Sequence, residues 1–368
     1  MPTEAAAAAP SARVLDNPRL RRILRYVIVF SLATFYSSAV GWGKSYYLPL
    51  FASTLIVVMS SSAPSLGFAV RMVTKMMAFF VLGLVLMIPL HNQQLFGLAL
   101  VGLILFIQFY RQAEGKIPSL AVVYLVMGVT LIPAFGQSSM DVAVEIVKGQ
   151  FQSLLALFAI IWIAFAILPE GVFHKLPKAP RIEGSSVDRA ILALRPVVLL
   201  LPIFVYMLGS DNGIRYLVGY IQIAFIAQHQ LRDTARVAAI EVALSAVYGG
   251  VASVILWWLM KMWPSLLWFT LLMALLSLIF ASRIFDNAPR IVKPTFSRWM
   301  LGMISVVVAV FTGALDQGFT GDDADMKAIV RILDYALITG YTVFGILLYD
   351  AVVDRLSALY RRFARRAW

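Results

Sequence analysis

The chain contains no cysteine, so no disulfide and no cysteine-ligated metal can form, and thiol chemistry is absent. Histidine is nearly as scarce. His91, His174 and His229 stand far apart, and three isolated histidines do not make a metal site. Charge is sparse too: Lys, Arg, Asp and Glu make up 14% of the residues, against roughly 25% in an ordinary soluble domain. Enzyme signatures are missing. There is no phosphate-cradling glycine-rich loop with lysine, no His-Glu-x-x-His and no nucleophile elbow. No segment between apolar runs is long enough for a nucleotide-binding domain, which excludes an ATP-driven pump built from this chain alone. The reading is therefore of a non-enzyme that needs no cofactor.

What the chain has in abundance is apolar length. It is 61% hydrophobic, with a mean hydropathy of +0.85. Apolar stretches run over 23–41, 47–63, 69–90, 95–110, 117–136, 149–168, 191–209, 214–230, 237–260, 265–281, 300–315 and 329–352. Most reach or approach the roughly 20 residues needed to cross a hydrocarbon core as a helix. None alternates polar and apolar as a barrel strand does. A backbone in lipid must satisfy its own hydrogen bonds, which leaves the helix. The fold class expected is all-α: a polytopic membrane protein of about 12 transmembrane helices. The first run is longer than the apolar part of a signal peptide and starts after a long lead, so a retained span is expected despite Ser38-Ala39.

Orientation follows from the basic residues. With the N-terminus inside, all 31 Lys and Arg but Lys44, Lys148, Arg215, Lys261, Lys327 and Arg331 fall on the cytoplasmic side. Both termini are then cytoplasmic. The same distribution accounts for the net charge of +12 by topology, with no nucleic-acid partner. A basic arm is expected over 1–22, a first six-span repeat over 23–168, a polar linker over 169–190, a second repeat over 191–352 and a basic tail over 353–368. Both repeats start inside and contain six crossings, so they are parallel repeats.

Charged groups within spans carry the functional reading, because they are costly in lipid and face the bundle interior or a pathway. Glu241 lies one to two turns into the ninth span. Ser245 and Tyr248 share its face at i+4 and i+7, and Ala235, Ala239, Ala243, Ala246 and Gly250 line the opposite one. Matching Gly83 to Gly249 sets Lys75 of the third span at the position of Glu241, so a Lys75–Glu241 pair is one arrangement. In the other, Lys75 reaches the headgroups and Glu241 pairs with Arg236 or water. Arg71 and Arg236 open the third and ninth spans, and His229, flanked by glutamines, suits a proton relay or a plain loop position. Ser60, Ser61, Ser62 and Pro64 form a polar break, which lines a substrate cavity or simply turns the chain.

Several of these features together resemble a family. They are the basic arm, the Trp42-Gly43-Lys44-Ser45-Tyr46-Tyr47 turn, the Ala63-Pro64-Ser65-Leu66-Gly67 break before Arg71, and the six-plus-six arrangement. The chain resembles the FUSC-like superfamily of fusaric-acid-resistance and aromatic-acid exporters, as a minimal member without their large cytoplasmic domains. The resemblance implies a bacterial inner-membrane transporter that moves small organic or aromatic acids outward. It also implies a periplasmic membrane-fusion adaptor and an outer-membrane channel as partners. The reading is compatible with a homo-oligomer among membrane lipid. Proton-driven efflux is the leading expectation. An organic-anion channel or passive pore, and a non-transport scaffold for an envelope complex, are the alternatives.

Overall fold

The computed structural model describes residues 17–40, 47–58, 62–117, 119–137, 139–169, 185–209, 220, 223–224, 232–286, 298–317, 337 and 340–355. All regular structure among them is helical, and no strand occurs. The helices are α1 (Pro18–Val40), α2 (Tyr47–Val58), α3 (Leu66–Asn92) and α4 (Gln94–Ala113). They continue with α5 (Ser119–Gly136, with a π turn at Met127–Leu131), α6 (Met140–Ile167) and α7 (Ser186–Leu208). Then come α8 (Arg232–Met262), α9 (Leu266–Ile284), α10 (Arg298–Gln317) and a last helix, α11, over 340–355. Of the expected spans, 214–230 lies almost wholly outside the described residues, as do His229, Ser60 and Ser61.

Short polar side chains set the helix starts. Asn17 accepts from the Arg19 amide at 3.0 Å, with Pro18 in the first turn. Ser65 accepts from Phe68, and Ser265 from Trp268, each at 3.2 Å after a proline. Before α7, Ser185 and Asp188 cap each other reciprocally. Gly115, at φ 72°, closes α4, where a side chain would be strained. Pro133 cannot donate to the preceding turn of α5, and the π turn lies just ahead of it.

Seven helices are long and apolar enough to cross a membrane: α1, α3, α4, α6, α7, the Ile240–Met262 part of α8, and α9. The two shortest expected spans are among the helices that outrun their apolar stretches: 95–110 extends to Gln94–Ala113 and 300–315 to Arg298–Gln317. α2 is described over Tyr47–Val58, and residues 59–61 of its expected span lie outside the described residues. Large apolar side chains stand outward along these helices, with Leu95 85% exposed and Leu267 70%. Water would penalise so much exposed apolar surface, whereas acyl chains are its natural surroundings. The chain is a multi-pass membrane protein.

The chain packs as two compact units. One comprises 1–73, 149–177 and 247–328, and the other 74–148, 178–246 and 329–368. In the first unit α1 packs most extensively on α9, and also on α2; α10 lies on both α9 and α2. Its core includes Tyr26, Phe30, Phe51, Met273 and Met300, all essentially without exposure. In the second unit α4 packs chiefly on α7, and α5 contacts both. Leu105, Leu200, Phe204 and Val129 form its interior.

Candidate intramembrane charge sites

In the second unit, Arg195 lies nine residues into α7, about 14 Å along its axis. It is 2% exposed and places Nη1 3.5 Å from Oδ1 of Asp350 on α11. The same two helices are joined by tyrosines. Tyr349 donates to the Ile191 carbonyl at 2.7 Å and Tyr341 to the Leu199 carbonyl at 3.1 Å. Pro196 and Pro202 lack the N–H that the Leu192 and Val198 carbonyls would accept in a regular helix, and the tyrosines bind the carbonyls one residue away, Ile191 and Leu199, beside these breaks. The pair is therefore held in a polar seam rather than set alone in hydrocarbon.

In the first unit, Arg25 of α1 is 3% exposed. Its guanidinium carbon stands 4.4 Å from the ring centre of Phe165 on α6, a cation–π contact in a dry setting. One turn earlier Trp162 donates its indole N–H to the Pro64 carbonyl at 2.8 Å. Pro64 is buried, so the carbonyl at this break has an indole partner. Ser62 beside it is half-buried. An aromatic cluster lies elsewhere in this unit: Tyr248 stacks on Trp299 at 4.7 Å, Phe280 meets Trp299 edge-on, and Arg283 stands 5.9 Å from the Trp299 ring.

The residues singled out from sequence are placed as follows. Glu241 is half-buried on α8 and Ser245 fully buried, its hydroxyl donating to the Val242 carbonyl at 2.6 Å. Tyr248, half-buried, completes the face read from spacing and uses it to stack on Trp299. A close helix approach is made at Gly249, one turn beyond Ser245 and outside the small face read from spacing: a Cβ there would come 2.7 Å from the Gly302 carbonyl oxygen. Lys75 is exposed and forms no ion pair with Glu241, so the pairing offered by the glycine match is not made. Arg71 is exposed too, tied back to the Gly67 carbonyl at 3.0 Å. The side chain of Arg236 lies outside the described residues.

Sequence reasoning missed Asp350 and Arg195 and counted Arg25 only as a topological charge. The available signal was a charge within an apolar run: Arg195 interrupts Ile191–Leu201, whereas Asp350, two residues from the end of the run 329–352, reads as an ordinary edge residue.

Residues 22–166 match the model of a family described as "Protein of unknown function (DUF2955)". No curated protein and no solved structure matches the chain. The matched stretch begins within α1 and ends within α6, so this part of the chain is similar to that family.

Proposed function

We propose that the protein is a bacterial inner-membrane transporter that exports small organic or aromatic acids, driven by the proton gradient and coupled to a periplasmic adaptor. In this reading it is a FUSC-like protein that crosses the membrane twelve times as two six-span repeats with both ends in the cytoplasm. The observation that carries transport is the burial of Arg25 and Arg195 inside apolar helices. A charged side chain within a span is costly, and intramembrane charges that face the protein interior mark substrate or proton paths. A guanidinium suits a carboxylate because its planar donors match the two oxygens. Phe165, already against Arg25, suits the flat face of an aromatic acid. Glu241, half-buried and one helical turn from buried Ser245, is the carboxylate best placed to carry the coupled proton.

The test is flux. Proteoliposomes holding the purified chain and loaded with radiolabelled benzoate should lose label faster when a pH gradient is imposed. Arg25→Gln should abolish the gain, and Glu241→Gln should uncouple it from the gradient. Flux set by voltage alone, with no response to the gradient, would reassign the protein to the organic-anion channels. No flux under either force would leave the scaffold reading.

A further inference from the structure

The geometry points to a chain made of two copies of one six-helix module that exchange their third, fourth and fifth helices. This goes beyond the parallel repeats proposed above and does not rest on transport. The two compact units are not the two halves. The first unit holds α1, α2 and most of α6 from the first half, with the end of α8, α9 and α10 from the second. The second holds α7 and α11 from the second half, with most of α3, α4 and α5 from the first. Advancing each element by half a chain turns one set into the other. The dividing positions agree: 73/74 and 246/247 fall inside α3 and α8, and 148/149 and 328/329 fall near the starts of the sixth and expected twelfth spans.

The contacts repeat as this exchange requires. The dominant packing in one unit is α1 on α9, and in the other its counterpart α7 on α4. The α9–α10 contact is matched by α4–α5. Tyr220, on the expected eighth span, lies beside Thr130 of α5, as α2 lies on α10. Gly83 of α3 is pressed on the Gly128 carbonyl of α5, and Gly249 of α8 on the Gly302 carbonyl of α10.

Burial gives the register. Setting Arg25 on Arg195 sets Tyr26 on Pro196, Phe30 on Leu200, Thr34 on Phe204 and Ser37 on Met207, all buried, while Phe35-Tyr36 fall on Val205-Tyr206, all exposed. Two positions break the pattern: buried Ala33 is set on half-buried Ile203, and buried Val197 on half-buried Val27. Among these paired buried positions, arginine alone is the same residue in both copies. The module thus builds one arginine position twice, with two settings: Arg25 on the Phe165 ring and Arg195 beside Asp350.

The chain's lack of cysteine makes the test direct. A protease site is placed between residues 178 and 184 of the full chain, and cysteines are introduced in pairs. One pair is Arg19→Cys with Ser282→Cys, where the Arg19 guanidinium now reaches the Ser282 carbonyl at 2.8 Å. The other is Gly102→Cys with Leu201→Cys, where a Cβ at 102 comes 3.2 Å from the Leu201 side chain. After a short bis-maleimide and cleavage, both pairs should hold the halves in one band on a denaturing gel, at least tenfold above single-cysteine controls. Two separate halves from chains whose thiols have both reacted would overturn the exchange. So would a band of twice the chain mass before cleavage, which would place the exchange between chains. The Arg19/Ser282 pair sits at helix ends and keeps the test decisive should Gly102→Cys disturb packing.

Discussion

A single side chain decides most where its charge is buried. Arg195 and Asp350 are the clearest case, because removing one leaves the other in a dry site. Arg195→Gln should cost about 3–5 kcal/mol. The double variant Arg195→Gln/Asp350→Asn should recover most of that loss, since two neutral groups can still hydrogen bond. Thermal unfolding of the detergent-solubilised protein measures both, and equal loss in the single and double variants would show that the pair is not the cause. Arg25 behaves differently at the same register, because its guanidinium lies on the Phe165 ring. Phe165→Leu should therefore weaken the Arg25 setting by about 0.5–2 kcal/mol, whereas Phe165→Tyr should not. Neither arginine was read as a site from sequence. A span's letters give depth along the helix but not which side meets protein, and a basic residue near a cytoplasmic end is ordinarily topological.

At the scale of the element, caps and close crossings explain the helices. Ser185→Ala removes the acceptor for the Asp188 amide and one side of a reciprocal cap, a loss of about 1 kcal/mol. Hydrogen exchange in the first turn of α7 should quicken by several-fold while the rest of the helix is unchanged. The crossings are less tolerant. Gly83→Ala and Gly249→Ala each drive a methyl into a facing backbone carbonyl, whereas Gly67→Ala meets nothing within 4 Å. The first two should reduce the yield of folded protein sharply, and the third should match or exceed the parent; similar yields for all three would refute the close approach. Much of this level was legible. Helix positions followed from apolar length. The turn after α2 was not, because Ser60 to Ser62 permit a helix and a break alike in sequence.

For the whole molecule, the positive-inside pattern predicts that reporters fused after residue 175 and after residue 368 give the same cytoplasmic signal, and one fused after residue 320 the opposite signal. A reporter at 175 that reads as external would remove the even number of crossings before the linker. The exchanged halves add a consequence for function. If Arg25 and Arg195 are equivalent positions of one module, charge-conserving Lys variants at either site should be tolerated better than Gln variants. The Asp350 partner should make the Arg195 site the more sensitive in stability and the Arg25 site the more sensitive in benzoate flux.

Apolar runs of membrane-crossing length determined by themselves that this chain is helical and multi-pass. Lipid leaves a backbone few options, so composition and length suffice for that much. Which helix lies against which was decided only in three dimensions. Packing faces of similar shape occur in both halves, and covalent order does not say whether α1 meets its own half's fourth helix or the other's. Tertiary contact chose the other, and in doing so set two arginines in matching places with unlike neighbours.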